Sequence, residues 1–267
     1  MAWLRHLLLA LQFFTRVPVT GRLALWVGYS PAGLRASAAH FPAIGLLVGA
    51  VAAAVAGGLL VLLPPGPFAA LVAAVFSTVA TVLLTGALHE DGLADVADGL
   101  GGSLDRARAL EIMKDSRIGA FGALALLLAL LAKLALLALL AARDVRALCF
   151  GLVLAHVVSR AWPLLLVRTL PYVGDAAGLR AKPMADAISG GTLLAALAWT
   201  LVTLLAIAWW RGAGFVLAPL LASALGLACM ARLFARRLQG FTGDCLGAAQ
   251  QVCEIACYLG LALAVAR

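Results

Sequence analysis

The chain has 267 residues, of which 64% are hydrophobic and only 12% are charged, and its mean hydropathy is +1.07. A soluble globular domain carries roughly 25% charged residues, so this composition excludes one. The formal charge of +8 would suit nucleic acid, but the basic residues are spread through the predicted loops as in membrane proteins, and no nucleic-acid partner is expected.

The N-terminal segment predicts a helix that lies on the membrane rather than across it. Residues 2–14 are mostly apolar, but they are fewer than the roughly 20 residues that a spanning helix needs. Trp3 and Arg5 suit an anchor at the membrane surface, so this segment is interpreted as an interfacial helix. A looser polar stretch follows at residues 15–40.

Seven later stretches are apolar and long enough to span a membrane. They are filled with Ala, Leu and Val without a period of two, which argues against a β-barrel. The predicted fold class is therefore all-α, a polytopic helical membrane bundle forming a single domain over residues 1–267. The predicted spans are Phe41–Leu63, Phe68–Leu88, Ile118–Ala142, Ala147–Leu170, Thr192–Trp210, Gly214–Met230 and Leu246–Ala266.

The distribution of basic residues predicts the orientation of the bundle. With the N-terminus inside, nearly all arginine and lysine residues of the loops fall on the cytoplasmic side, where positive charge is enriched. The same orientation brings three polar loops to the cytoplasmic face, so the chemistry is expected there. These loops are residues 89–117, 171–191 and 231–245.

The first polar loop contains the most acidic part of the chain. Four of the 12 acidic residues of the whole chain lie between Glu90 and Asp98, and in a helix Asp91, Asp95 and Asp98 would share one face. Carboxylates so placed repel one another and favour a shared Mg²⁺ ion that also holds phosphate, although a solvated acidic helix start is the alternative. His89 adjoins them as a base, a ligand or a helix-end residue. The predicted catalytic residues are His89, Asp91, Asp95 and Asp98, and the metal ligands include Glu90, Asp91, Asp95 and Asp98.

Basic side chains in the same region are predicted to hold phosphate. Lys114 and Arg117 are three residues apart and would share a helix face, but a basic pair flanking the membrane is an equal interpretation. Arg160 lies well inside a predicted span. Inserting an arginine at the centre of a membrane helix costs at least about 2.5 kcal/mol of free energy, so Arg160 should face a polar cavity or a partner. Asp115 is a further predicted metal ligand.

The last polar loop leads into a glycine-framed helix start. Thr242 and Gly243 would present a hydroxyl and backbone N–H groups at a helix N-terminus, which is a natural anion site. Asp244 would complete the metal site. Glu254, inside the following span, indicates a polar cavity there.

Two other charged features leave their roles open. Lys133 lies in an apolar span and would suit a charge at a helix-packing interface. The loop from Asp175 to Asp186 is either a lid over the substrate or a solvated connection. An acidic metal site beside basic residues at a membrane surface favours phosphoryl or phosphodiester chemistry.

Several motifs, in order along the chain, resemble those of the cobalamin synthase family. They are Leu11–Pro18, Phe41–Gly45, His89–Gly99 with Gly101-Gly102, Met113–Gly122, Ser159-Arg160 and Gly243–Ala248. The resemblance implies an inner-membrane transferase that requires Mg²⁺ and joins adenosylcobinamide-GDP to α-ribazole or α-ribazole 5′-phosphate, releasing GMP. Besides these substrates, the expected partners are the lipid bilayer and either further copies of the chain or other late enzymes of the corrinoid pathway.

Two other functions fit the residues less well. CDP-alcohol phosphotransferases also place an Asp-Gly…Asp…Asp pattern at a membrane face, but theirs has an Ala-Arg pair shortly after the first Asp-Gly. Here Leu93-Ala94-Asp95 follows Asp91-Gly92. A transporter would scatter ionisable groups through the membrane midplane, whereas nearly all of them are predicted on one face.

Overall fold

The computed structural model describes residues 2–174 and 188–265. The predicted loop from Asp175 to Asp186 therefore lies outside the described residues. Within them the chain is helical, and the only β-type pairing is an isolated bridge between Tyr172 and Phe241. The predicted all-α class is confirmed.

The described residues form thirteen α-helices and one short 3-10 turn, Ala38–His40. The helices are α1 (Ala2–Phe14), α2 (Gly21–Val27), α3 (Pro31–Ser37), α4 (Phe41–Leu62), α5 (Pro67–Thr85), α6 (Leu88–Gly102), α7 (Arg106–Ile112), α8 (Ala120–Arg143), α9 (Val145–Ala161), α10 (Pro163–Thr169), α11 (Gly190–Arg211), α12 (Ala213–Arg237) and α13 (Gly243–Val265).

Seven helical segments are long and apolar enough to cross a membrane, which confirms the predicted number and a multi-pass bundle. They are Pro31–Leu62, Phe68–Thr85, Ala120–Arg143, Val145–Thr169, Gly190–Arg211, Ala213–Arg237 and Gly243–Val265. The N-terminal helix also has its predicted extent.

Three segments predicted as loops or loose stretches are largely helical, so their predicted conformation is wrong. Residues 15–40 include α2 and α3, residues 89–117 include most of α6 and all of α7, and α12 continues through residues 231–237. Charged residues lower the hydropathy of a segment, but Arg, Glu, Leu and Ala are good helix formers and helices continue through them. The acidic stretch is thus a helix, as its spacing requires.

A sharp turn at Gly86 separates α5 from α6. Its φ of +67° lies in the left-handed region that glycine adopts without strain, and it ends α5 there. A Cβ at this position would collide with the guanidinium of Arg16, which packs over the turn. The backbone N–H of Arg16 also donates to the carbonyl of Leu84 at 2.7 Å. The turn therefore redirects the chain into α6 and fixes the end of α1 beside it.

Close backbone packing places α6 against the start of α13. A Cβ at Gly92 would lie 2.8 Å from the carbonyl oxygen of Asp244, and one at Gly247 would lie 3.3 Å from the Cα of His89. Small residues at both positions let the two helices approach this closely. The acidic face of α6 is consequently brought to the N-terminal turn of α13.

Arginine side chains hold α6 and α7 against the end of α12. Arg106 donates to the carbonyl of Leu238 at 2.6 Å, and Arg237 donates to the carbonyls of Leu100 and Ser103 at 3.2 and 2.7 Å. These bonds satisfy carbonyls near helix ends that have no partner within their own helix. Both polar helices therefore lie beside the same ends of the spanning helices as the bridge between Tyr172 and Phe241.

Candidate active site

A cavity of about 540 Å³ lies where α1, α6, the junction of α9 with α10 and the start of α13 meet. Its wall combines acidic, basic and imidazole groups with several aromatic rings. The charged and imidazole groups are Arg16, His89, Asp91, Arg160 and Asp244. Four of these five residues were predicted for the site from sequence, and the structure brings them to one cavity.

The carboxylates at this end of α6 interact through their charge. Asp91 and Asp95 are one turn apart on α6, and Asp244 begins α13 beside them. Burial raises the pKa of Asp95 to about 7, and the negative charges of Asp244 and Asp91 contribute to the increase. Negatively charged carboxylates that lie this close together are stabilised when a cation joins them.

Oxygen donors of this kind suit Mg²⁺. No three His, Cys, Asp or Glu side chains converge into a preformed metal cage anywhere in residues 2–174 and 188–265. Mg²⁺ commonly keeps several waters and binds through one or two carboxylates plus substrate phosphates, so a protein cage is not required. The mutual repulsion at Asp91, Asp95 and Asp244 therefore fits a magnesium site that substrate completes, and these residues stay predicted ligands.

Asp98 lies on the same helix face but has other partners. Its two carboxylate oxygens accept hydrogen bonds from the backbone N–H groups of Gly119 and Gly122 at 2.7 and 2.8 Å. These amides stand at the start of α8, where helices have unpaired donors and favour negative charge. The geometry accounts for the acidic residue at this position without a metal, since Asp98 holds α8 against α6.

Lys114 and Arg117 were predicted to share a helix face, but both follow the end of α7 at Ile112 in non-helical backbone, and this predicted phosphate-binding run is not brought to the cavity. Arg117 is bound to the carboxylate of Asp115 at 2.6 Å, and its side chain is 86% exposed. Hydrogen bonds from Arg117 lower the pKa of Asp115 to about 2. Neither residue lines the cavity, and neither does Lys114. The structure thus separates this run from the carboxylates of α6.

Thr242 and Gly243 occupy the turn that starts α13. The hydroxyl of Thr242 lies 3.3 Å from a carboxylate oxygen of Asp244 and accepts from the backbone N–H of Cys245 at 3.4 Å. Thr242 therefore caps the helix, a role that its position before the helix favours. Gly243 lines the cavity, and its predicted part in anion binding stays a prediction.

His89 and Arg160 are buried in the cavity wall with unpaired polar atoms. Their exposed fractions are 4% and 3%, and neither Nε2 of His89 nor Nε of Arg160 has a hydrogen-bond partner among the described residues. Arg160 does donate through Nη1 to the carbonyl of His156 at 3.2 Å. Burial, and then the charge of Arg160, lowers the pKa of His89 well below its ordinary value, so its imidazole is neutral.

A buried polar network lies behind this wall. Lys133 on α8 forms an ion pair with Glu254 on α13 at 3.0 Å and donates to Gln251 at 3.1 Å. Gln251 in turn donates to Glu90 at 3.1 Å. Gln250, which lines the cavity, donates to Glu254 at 2.7 Å. Glu90, a predicted metal ligand, is therefore part of the contact between α6 and α13.

Arg16 and the aromatic residues of the cavity were not among the predicted site residues. Arg16 follows the interfacial helix, where an arginine resembles an ordinary membrane-flanking charge. The turn at Gly86 brings it to the cavity, and that contact joins segments far apart in sequence. The motif Leu11–Pro18 was a usable signal, because it contains Arg16 and two of the aromatic residues of the cavity, Phe13 and Phe14.

Comparison with known proteins gives one consistent result. Residues 6–262 match the model of the family described as cobalamin-5-phosphate synthase. Curated relatives from Polaromonas sp. (strain JS666) and Albidiferax ferrireducens are 59% and 57% identical, and each alignment covers 98% of both chains. A relative from Vibrio cholerae is 41% identical over 94% of this chain and 91% of its own. All three are called adenosylcobinamide-GDP ribazoletransferase. No solved structure matches.

Proposed function

The chain belongs to the cobalamin-5-phosphate synthase family, and we propose that it acts as a membrane-embedded adenosylcobinamide-GDP ribazoletransferase. The observation that carries this proposal is the cavity itself. It joins the carboxylates of Asp91 and Asp244 to the cations Arg16 and Arg160 beside the ends of the spanning helices. Acidic groups for a metal and cations for phosphate oxygens are what transfer from a diphosphate requires.

The reaction is a substitution at phosphorus. A ribose hydroxyl of α-ribazole, or of its 5′-phosphate, attacks the phosphorus that bears the cobinamide. A new bond forms between that oxygen and phosphorus, and the bond to the oxygen bridging the two phosphorus atoms breaks. GMP leaves with the bridging oxygen and its electron pair, and the hydroxyl proton passes to the leaving phosphate or to water. Adenosylcobalamin or its 5′-phosphate remains.

Residues in the cavity wall, and Asp95 one turn along α6 from Asp91, divide these tasks. Asp91, Asp95 and Asp244 would hold Mg²⁺, which when bound supplies charge neutralisation for the diphosphate and its leaving group. Arg16 and Arg160 bind phosphate oxygens of the two reacting substrates, as arginine does in planar, two-point contacts. Because the cavity is partly closed to water, these interactions are stronger there than in free solution.

The enzyme's place in the cell is part of the proposal. We expect the cavity to face the cytoplasm from the inner membrane, because the predicted orientation puts the loops at this end of the bundle, with most of the loop arginines, on the cytoplasmic side. Nucleotide-activated substrates are made and kept in the cytoplasm, so this orientation gives them direct access. Self-association, or association with other late enzymes of the corrinoid pathway, stays a prediction.

The proposal is tested with purified protein in liposomes. Adenosylcobinamide-GDP, α-ribazole 5′-phosphate and Mg²⁺ should yield GMP and the phosphorylated cobalamin in equal amounts. A chelator should stop the reaction, and added Mg²⁺ should restore it. If GMP does not appear while a CDP-activated lipid releases CMP, the chain works as a CDP-alcohol phosphotransferase instead.

A further inference from the structure

Aromatic rings from two distant parts of the chain line the cavity. On one side, Phe14 meets Phe41 edge to face at 4.4 Å, and Phe13 is parallel to Phe41 at 6.0 Å. From the other part, Tyr172 meets Phe241 edge to face at 5.5 Å. All five residues belong to the cavity wall. Aromatic surfaces of this kind bind flat rings by stacking and edge contacts.

The same wall contains buried polar atoms that have no hydrogen-bond partner among the described residues. Nε2 of His89 and Nε of Arg160 are both unpaired and more than nine-tenths buried. Buried polar atoms without a partner are rare in native proteins and indicate a missing water, ion or ligand. Phe14 is stacked on the ring of His89 at 5.5 Å, so the polar and aromatic parts of the wall are contiguous.

The size and chemistry of the cavity select among the parts of the two substrates. A volume of about 540 Å³ suits a nucleotide and is too small for a whole corrinoid. Guanine has several donors and acceptors on its edges that need polar partners; the wall offers some in Gln12, Thr15 and Gln250, but its aromatic rings present mainly apolar surface. The benzimidazole base of α-ribazole has no polar substituent and matches an aromatic wall.

We propose that this cavity is the binding site of the acceptor nucleoside. Its apolar fused ring is held between the phenylalanines of the N-terminal region and the pair Tyr172 and Phe241. Its sugar or phosphate oxygens pair with His89 and Arg160. The inference rests on the proposed function and adds to it the assignment of one substrate to one cavity, beside the carboxylates of Asp91 and Asp244.

Direct binding to the wild-type protein in nanodiscs, without Mg²⁺ and without the corrinoid substrate, tests the assignment. Titration calorimetry should detect binding of α-ribazole 5′-phosphate to the protein. GMP at equal concentration should fail to displace it. If GMP competes for the site as effectively as a second portion of α-ribazole 5′-phosphate does, the cavity is assigned to guanine and the proposal is overturned. No binding of α-ribazole phosphate by a preparation that releases GMP in the full reaction would also overturn it, and the proposed function would stand.

Substitution separates the two substrates kinetically. Phe13→Leu keeps an apolar side chain at a residue that is 37% exposed, so folding should tolerate it. It should raise KM for α-ribazole phosphate roughly 5- to 10-fold, the effect of losing one stacking contact, and leave KM for adenosylcobinamide-GDP unchanged. Phe76→Leu, at an exposed position outside the cavity wall, is the matched control. A rise confined to the KM for adenosylcobinamide-GDP would contradict the assignment.

Discussion

The ammonium of Lys133 lies 3.0 Å from a carboxylate oxygen of Glu254, and both side chains are at most 3% exposed. This ion pair joins the third and seventh spanning helices behind the cavity wall. Charges inside a membrane protein are costly unless they pair, which explains how an isolated lysine persists in an apolar helix. The pair also holds Gln251, and through it Glu90, at the start of α6.

Breaking this pair from one side should destabilise the protein. Lys133→Met leaves the buried carboxylate of Glu254 without its main counter-charge, and a loss of about 3–5 kcal/mol is expected. Thermal unfolding of the purified protein in detergent would show it as a lower midpoint. The double variant Lys133→Met with Glu254→Gln should recover part of the loss. A double variant as unstable as the sum of both single variants would mean that the pair contributes no coupling.

Removing Asp91, which lines the cavity, or Asp95, one turn further along α6, should abolish activity and spare the fold. Asp91→Ala and Asp95→Ala are each expected to reduce Mg²⁺-dependent GMP release at least about 100-fold, since a ligand to the catalytic cation is lost. Membrane insertion and the unfolding midpoint should stay close to wild type. Near-normal turnover in both variants at saturating Mg²⁺ would remove these residues from the metal site.

Asp98 should behave differently from its neighbours on the same helix face. Asp98→Ala leaves the N–H groups of Gly119 and Gly122 unpaired, so a loss of stability of about 1–3 kcal/mol is expected. The measurement is again the unfolding midpoint, compared with that of Asp91→Ala. A catalytically dead but fully stable Asp98→Ala would instead favour Asp98 as a metal ligand.

The metal-free protein should lose stability as pH rises toward neutrality. The pKa of Asp95 is raised to about 7 from its ordinary value of 3.8, so between these values the folded state binds a proton that the unfolded state has released. Stability therefore falls between pH 4 and 7, and Asp95→Asn, which stays neutral, should flatten this part of the curve. The unfolding midpoints of both proteins, measured in a chelator between pH 5 and 8, test this pH dependence.

The control for this measurement is Asp115→Asn. The pKa of Asp115 is lowered to about 2, so its titration lies in acid and contributes nothing between pH 5 and 8. Adding Mg²⁺ at pH 8 should raise the midpoint of wild type and not that of Asp95→Asn. Parallel pH curves for wild type and Asp95→Asn would show that neither burial nor the acidic neighbours raise the pKa of Asp95.

Much of the site was predictable because it follows from local spacing. Asp91 and Asp95 share a helix face by their separation alone, and a charged residue such as Arg160 inside an apolar span indicates a polar surrounding. The same reasoning also predicted Asp115 and Arg117 for the site, and the structure places both outside the cavity. Asp115 and Arg117 form an ion pair with each other at the surface. Their spacing in the sequence did not predict this pairing.

What the sequence by itself determined is the membrane class, the seven spans and the acidic face of α6, because length, hydropathy and helical period act over one or a few turns. Only the tertiary structure decided that Asp98 caps α8, that Arg16 reaches the cavity and that Lys133 pairs with Glu254. The physical reason is distance along the chain. Lys133 and its partner Gln251 are 118 residues apart, and only the packing of whole helices brings such groups into contact.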